Sequence, residues 1–188
     1  MSDLQFNLNQ SGPAGTLGLA KRRPTGKVSN RRSASELRFR KVPDEDFWEL
    51  LHPRCAIERA DDIEEVEAMI QGGEIDIALE ELRWLLSGCP QFIQGHRMLG
   101  ELALRSGDMQ LARAHFGYAF QAGAEAWKKA GRPVPLPFHH DANRDFFKSG
   151  QRLIECLVQL NKQKMAREVA DVMMRCDPTD PLGVKDAL

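Results

Sequence analysis

Few residues of this 188-residue chain stand in arrangements that could do chemistry, and each arrangement fails on spacing. His139-His140-Asp141 sets two imidazoles and a carboxylate side by side. Adjacent residues rarely ligate one ion together, and no second ligand cluster lies nearby in sequence. His52 near Cys55 is no better supported. The four cysteines (Cys55, Cys89, Cys156, Cys176) form no C-x-x-C pair and have no histidine at finger spacing. Reduced, half-buried thiols are therefore expected, rather than a disulfide or zinc framework. His96 and His115 fall on facing helices of one hairpin and are expected to pack or to meet water. The glycines of Gly12-Pro13-Ala14-Gly15-Thr16-Leu17-Gly18 have the wrong spacing for a nucleotide fingerprint, and no strand precedes them. No nucleophile motif is present. The sequence predicts no catalytic residue, no metal, no cofactor and no enzyme.

The elements that position the remaining polar residues are helices. From Ile93 to Ala126, two amphipathic patterns meet at Ser106-Gly107-Asp108, with Leu99, Leu102, Leu111 and Phe116 at helical spacing. Small residues (Gly100, Ala103, Ala112, Ala119, Ala122) sit where the two helices must touch. The same arrangement lies 34 residues earlier, over Arg59 to Phe92. There Gly73-Glu74 matches Gly107-Asp108, Ala78 matches Ala112 and Leu82 matches Phe116. A third copy has Leu153, Leu157, Ala166, Ala170 and Pro178, with Asn161 in the glycine's turn position. Repeats are thus expected at about 59–92, 93–126 and 147–180, with an insertion at 127–146. In that insertion Pro133, Pro135 and Pro137 hold an extended path. Val134, Leu136 and Phe138 are expected to dock on the repeats and wall one end of their groove. Asp141 or Asn143 is expected to cap the next helix. A short helix is read over Asp44 to Leu51, and another start over Leu182 to Leu188, where Val184, Ala187 and Leu188 would cover the Met165–Met174 region.

This pattern resembles the tetratricopeptide repeat family. Its W-x2-L-G-x2-Y, A-x3-F and P positions are met by His96-x2-Leu99-Gly100-x2-Ala103 and Ala112-x3-Phe116, and elsewhere by Ala78-x3-Leu82 with Pro90 and Ala166-x3-Ala170 with Pro178. The family's Trp and Tyr positions are replaced throughout. The resemblance implies an all-α fold, a short right-handed superhelix of stacked helical hairpins whose first helices line a concave face. It also implies that this face binds a peptide or helix of another protein. Helical geometry puts Gln94, Arg97, Glu101 and Arg105 of the second unit there, with Lys148, Gln151, Arg152, Glu155 and Gln159 of the third and Ile63, Glu67 and Gln71 of the first. Lys148 and Arg152 match the last two positions of a carboxylate clamp that some members carry. Ile63, Glu67 and Met98 stand where the other three would be, so the clamp is incomplete.

Charge divides the chain. Residues 1–43 hold nine Lys/Arg and two Asp/Glu, whereas residues 44–188 hold 17 and 25. The first 43 residues, rich in Gly, Ser, Asn and Arg, are expected to be a disordered basic arm. The basic residues between 21 and 41 make it a candidate for nucleic acid or acidic surfaces. No apolar run approaches the roughly 20 residues of a membrane helix, and nothing resembles a secretory signal, so a cytoplasmic protein is expected. The expected role is a protein–protein adaptor. Alternatives are a nucleic-acid-associated factor working through the arm, or a small homo-oligomeric chaperone.

Overall fold

A computed structural model describes residues 36–188, and these are mostly helical. Helix α1 (Arg54–Ile57) is a single turn. Three hairpins follow among the described residues: α2 (Ala60–Gly72) with α3 (Ile75–Gly88), α4 (Ile93–Arg105) with α5 (Met109–Lys129), and α6 (Asp141–Gln159) with α7 (Gln163–Cys176). From α2 to α7 each helix packs on its neighbour in sequence, and α4 also meets α6.

The hairpins turn by one device. Gly73, Gly107 and Asn161 take left-handed backbone, with φ of 82°, 80° and 56°. The next residue then donates its N–H to a carbonyl five residues back: Glu74 to Met69 (2.9 Å), Asp108 to Ala103 (2.9 Å) and Lys162 to Leu157 (2.8 Å). These bonds satisfy carbonyls that the helix end leaves open. The turns stand at the positions read from the sequence, 34 and then 54 residues apart.

Two cores result. The smaller holds Ile63, Val66, Ala78, Leu82, Leu85, Met98, Leu99 and Leu102; the larger holds Phe116, Phe120, Phe146, Phe147, Leu153 and Leu157. Helix α4 contributes to both. Its Gly100 faces the Phe116 ring, where an added Cβ would lie 2.6 Å from Cε1, so this crossing requires glycine. Rings from α5 and α6 continue the packing, Phe120 stacking on Phe146 at 5.0 Å between centroids.

Several expectations fail here. Residues 36–43 are not an arm; for residues 1–35 that reading lies outside the described residues. Strand β1 (Arg38–Lys41) pairs antiparallel with β2 (Trp48–Leu51), Phe39 opposite Leu50 and Arg40 opposite Glu49. The expected helix over Asp44 to Leu51 is therefore a turn and a strand. Trp48-x-Leu50 alternates at the strand period, and Asp44 at φ 62° makes the turn. Within the insertion, the expected caps are absent: His140 precedes the first turn of α6 and caps nothing through its side chain. Asn143 instead lies fully buried. Its Oδ1 accepts from Leu50 N–H (2.8 Å), and its Nδ2 donates to the Trp48 (3.1 Å) and Pro137 (3.0 Å) carbonyls. The proline segment packs between the strands and the end of α7, with Trp48 N–H on Pro135 O and Leu136 N–H on Cys176 O. Beyond Pro181 the chain makes turns rather than a helix. Val184 is buried there, whereas Ala187 and Leu188 are exposed.

The cysteine expectation fails for one pair. Cys55 on α1 and Cys89 past α3 form a disulfide with Cα atoms 5.8 Å apart. Cys156 and Cys176 are buried free thiols. The bond closes a ring spanning 34 residues around the whole first hairpin. Chain-entropy arguments assign such a ring roughly 3–4 kcal/mol. Replacing Cys55 and Cys89 together by serine should lower unfolding free energy by about 2–4 kcal/mol in urea titrations, and dithiothreitol should do the same to the parent.

Candidate partner-binding surface

Helices α2 and α4 enclose a shallow groove of about 220 Å3. Ile70, Met98 and Leu102 form its floor, and Glu67, Gln71, Arg97, Glu101 and Arg105 form its rim. The local reason is helical spacing. Met98 and Leu102 belong to the stripe that α4 buries against the first hairpin, while 97, 101 and 105 recur one step off it. An apolar floor with a polar rim is the anatomy of protein interfaces.

Four of the eight residues singled out from the sequence are joined by ion pairs within the fold. Arg152 Nε reaches Glu101 Oε1 (2.9 Å) and its Nη1 reaches Glu155 Oε2 (2.8 Å). Arg97 Nε donates to Asp145 Oδ1 at 2.6 Å. The bonds to Glu101 and Asp145 knit α4 to α6, while that to Glu155 lies within α6. The hydrogen bond from Arg152 to Glu155 holds the guanidinium pKa above its ordinary value; burial opposes this and Glu101 reinforces it. Arg105 is exposed on the groove rim, whereas Lys148 is exposed and Gln94 and Gln151 half-buried away from the lining.

The clamp reading fails on this geometry: Arg152 is neutralised by two carboxylates, and Ile63 and Met98 are buried. Ile63 accordingly leaves the expected face for the core. The proline segment contributes no residue to the lining of this groove; within it Val134 is exposed, Leu136 fully buried, and the Phe138 ring meets Phe147 edge-on. Sequence reasoning missed the apolar floor and Asp145. The latter was within reach, because 145, 148, 152 and 155 fall on one helical face.

The histidines pack. His140 Nε2 lies 2.9 Å from Glu49 Oε2, and both His139 and His140 lean on Phe47. His52 Nε2 lies 2.8 Å from the Ala142 carbonyl. Burial would raise the Glu49 pKa, but hydrogen bonds from His140 and Arg40 prevail and hold it below the ordinary carboxylate value. Among the described residues, no three His, Cys, Asp or Glu side chains converge to hold an ion. Burial pushes the Cys156 thiol up to about 11 and the Cys176 thiol to about 12, so neither is nucleophilic at neutral pH.

His96 on α4 and His115 on α5 meet with Nδ1 atoms 3.3 Å apart, and the His96 ring lies against Tyr118. Burial lowers the His96 pKa to about 4; the Pro90 carbonyl opposes this, and His115 adds to it. His115 is lowered too, by burial and the Arg83 charge. Below about pH 6.5 the unfolded chain binds a proton that the folded chain refuses. The stabilisation is thus complete above that pH and is lost as pH falls toward 4, by at most about 3 kcal/mol. Glu49 contributes only at lower pH, through the carboxylate range. Urea midpoints should therefore drop between pH 7 and 5, and His96→Gln should flatten that drop. An unchanged slope in the variant would remove His96 as its cause.

No helix among the described residues is long and apolar enough to cross a membrane. Compared with protein-family models, curated proteins and solved structures, the chain has no match.

Proposed function

We propose that this protein is a non-enzymatic interaction module that receives a peptide or helix of another protein in the α2–α4 groove. In this reading the hairpins form a short superhelix of the tetratricopeptide type, with α2, α4 and α6 as its first helices. The supporting observation is the groove itself. It is the place where apolar floor and exposed charge meet on two successive first helices, and the rim residues Glu67, Gln71 and Arg105 are exposed. The ion pairs between α4 and α6 narrow the surface expected from the sequence to its first two units. Lys148 lies beyond the groove, and Gln94 and Gln151 play no part in its lining.

In the described part of the basic segment Arg38 is exposed, whereas the other two cations have partners in the fold. Arg40 pairs with Glu49, and Lys41 Nζ lies 3.0 Å from Asp46 Oδ1, so two of its cations are engaged within the β-hairpin.

Both Glu67 and Arg105 are exposed, so Glu67→Lys with Arg105→Glu alters the rim without disturbing the core. Peptides selected from a random phage library on the full chain should bind the double variant at least about tenfold more weakly, a loss of roughly 1.4 kcal/mol. Lys148→Glu should leave their affinity unchanged. Selection of no peptide, or of peptides indifferent to the rim, would contradict this reading.

A further inference from the structure

A second surface, which shares no residue with the groove, lies on the outward side of α3. Ile77, Glu80, Glu81 and Trp84 stand at i, i+3, i+4 and i+7 and so share one face of the helix. Ile77 is 54% and Trp84 60% exposed, unusual values for such large apolar side chains. Between them Glu80 is exposed and Glu81 half-buried. The Trp84 indole already receives one guanidinium, that of Arg59, 5.1 Å from the ring centroid. The surrounding hairpin is the most acidic part of the fold: residues 54–88 hold ten Asp/Glu against three Lys/Arg, a net of −7. Apolar anchors set among carboxylates fit a segment that is basic and carries some apolar residues.

The chain has such a segment, tethered beside this face. Residues 1–35 hold six Lys/Arg (Lys21, Arg22, Arg23, Lys27, Arg31, Arg32) against one Asp, and Leu17 and Leu19 precede the first basic run. They join the fold at Leu37, whose backbone N–H donates to Gln91 Oε1 at 2.8 Å. Gln91 lies three residues past Gly88, the end of α3, and Trp84 is about one helical turn before that end. Arg32 and Arg31 lie five and six residues before Leu37, a reach of roughly 17–20 Å for an extended chain, against about 11–12 Å of helix from Gly88 back to Glu81 and Glu80. A tether of this length gives an effective concentration in the millimolar range, far above that of a free partner.

We propose that the basic residues 21–32 of this chain dock in cis on the outward face of α3, over Ile77, Glu80, Glu81 and Trp84. The contact joins opposite charges at the surface, so salt weakens it.

The test uses the full chain labelled with 15N in its tryptophan indoles. Trp84→Phe identifies the Trp84 signal among Trp48, Trp84 and Trp127. The comparison protein carries Lys21→Gln, Arg22→Gln, Arg23→Gln, Lys27→Gln, Arg31→Gln and Arg32→Gln together. At about 50 mM NaCl the Trp84 signal should differ between the two proteins and the other two indoles should coincide; at about 500 mM the Trp84 difference should vanish. Reciprocally, trypsin should cut after Arg32 about fivefold faster in Ile77→Ser with Trp84→Ser than in the parent, a population ratio worth about 1 kcal/mol. Coincident Trp84 signals at low salt would overturn the proposal. So would a Trp84 shift that grows with protein concentration, which would assign the face to a second copy.

Discussion

Helix α4 has to serve two cores, and the character of the candidate surface follows from that constraint. Seven of its thirteen residues are buried: Ile93, Gly95, Met98, Leu99, Gly100, Leu102 and Ala103. Met98, Leu99 and Leu102 join the core of the first hairpin, while Ile93 and Ala103 join the larger core beyond it. A helix claimed from both sides keeps only a narrow polar strip, and on α4 that strip includes Arg97, Glu101 and Arg105. A larger residue at Gly100 would force this crossing apart, because the Phe116 ring occupies the space where any other side chain would begin. The strip is then divided again. Arg97 and Glu101 line the groove but are bonded to Asp145 and Arg152 on α6, which leaves Arg105 as the exposed charge that α4 gives the rim.

This division explains why charged residues at helical spacing are not all free side chains: Arg97, Glu101, Arg152 and Glu155 are bonded within the fold. Side chains on α4 and α6 stand close enough to bond one another, and opposite charges there do so. The pairs are partly buried, Arg97 and Asp145 being 17% and 22% exposed, so solvent screens them less than it would a surface pair. They tie the second hairpin to the third. On the rim of the groove between α2 and α4, the residues left exposed are Glu67, Gln71 and Arg105.

The helical part of the fold was legible because each hairpin repeats one local solution. A left-handed residue closes the first helix, and small residues allow the second to approach it. Gly73, Gly107 and Asn161 carry that signal in the sequence itself. What escaped reading is held together by contacts between distant residues. Arg38 to Leu51 forms strands because Asn143, some ninety positions later, receives the Leu50 N–H, and because the Pro135 carbonyl receives that of Trp48. Neither partner is visible from the local pattern, where Asp44-Glu45-Asp46 reads equally well as a helix start. The Cys55–Cys89 bond escaped for a related reason. No short motif brings the two together; the folding back of α2 and α3 does, returning the end of the hairpin to its beginning. At the candidate site, helical spacing found the rim, but the floor of Ile70, Met98 and Leu102 reads in sequence as ordinary core.

Helix α4 is the member shared between both cores, and native-state hydrogen exchange measures that sharing most directly. Amides between Met98 and Ser106 should exchange only through global unfolding, with opening free energies equal to that from urea titration and at least as large as those of α3 and α7. Exchange of these amides through a smaller, local opening, while α5 and α6 stay protected, would show that α4 belongs to one hairpin alone and would contradict the account.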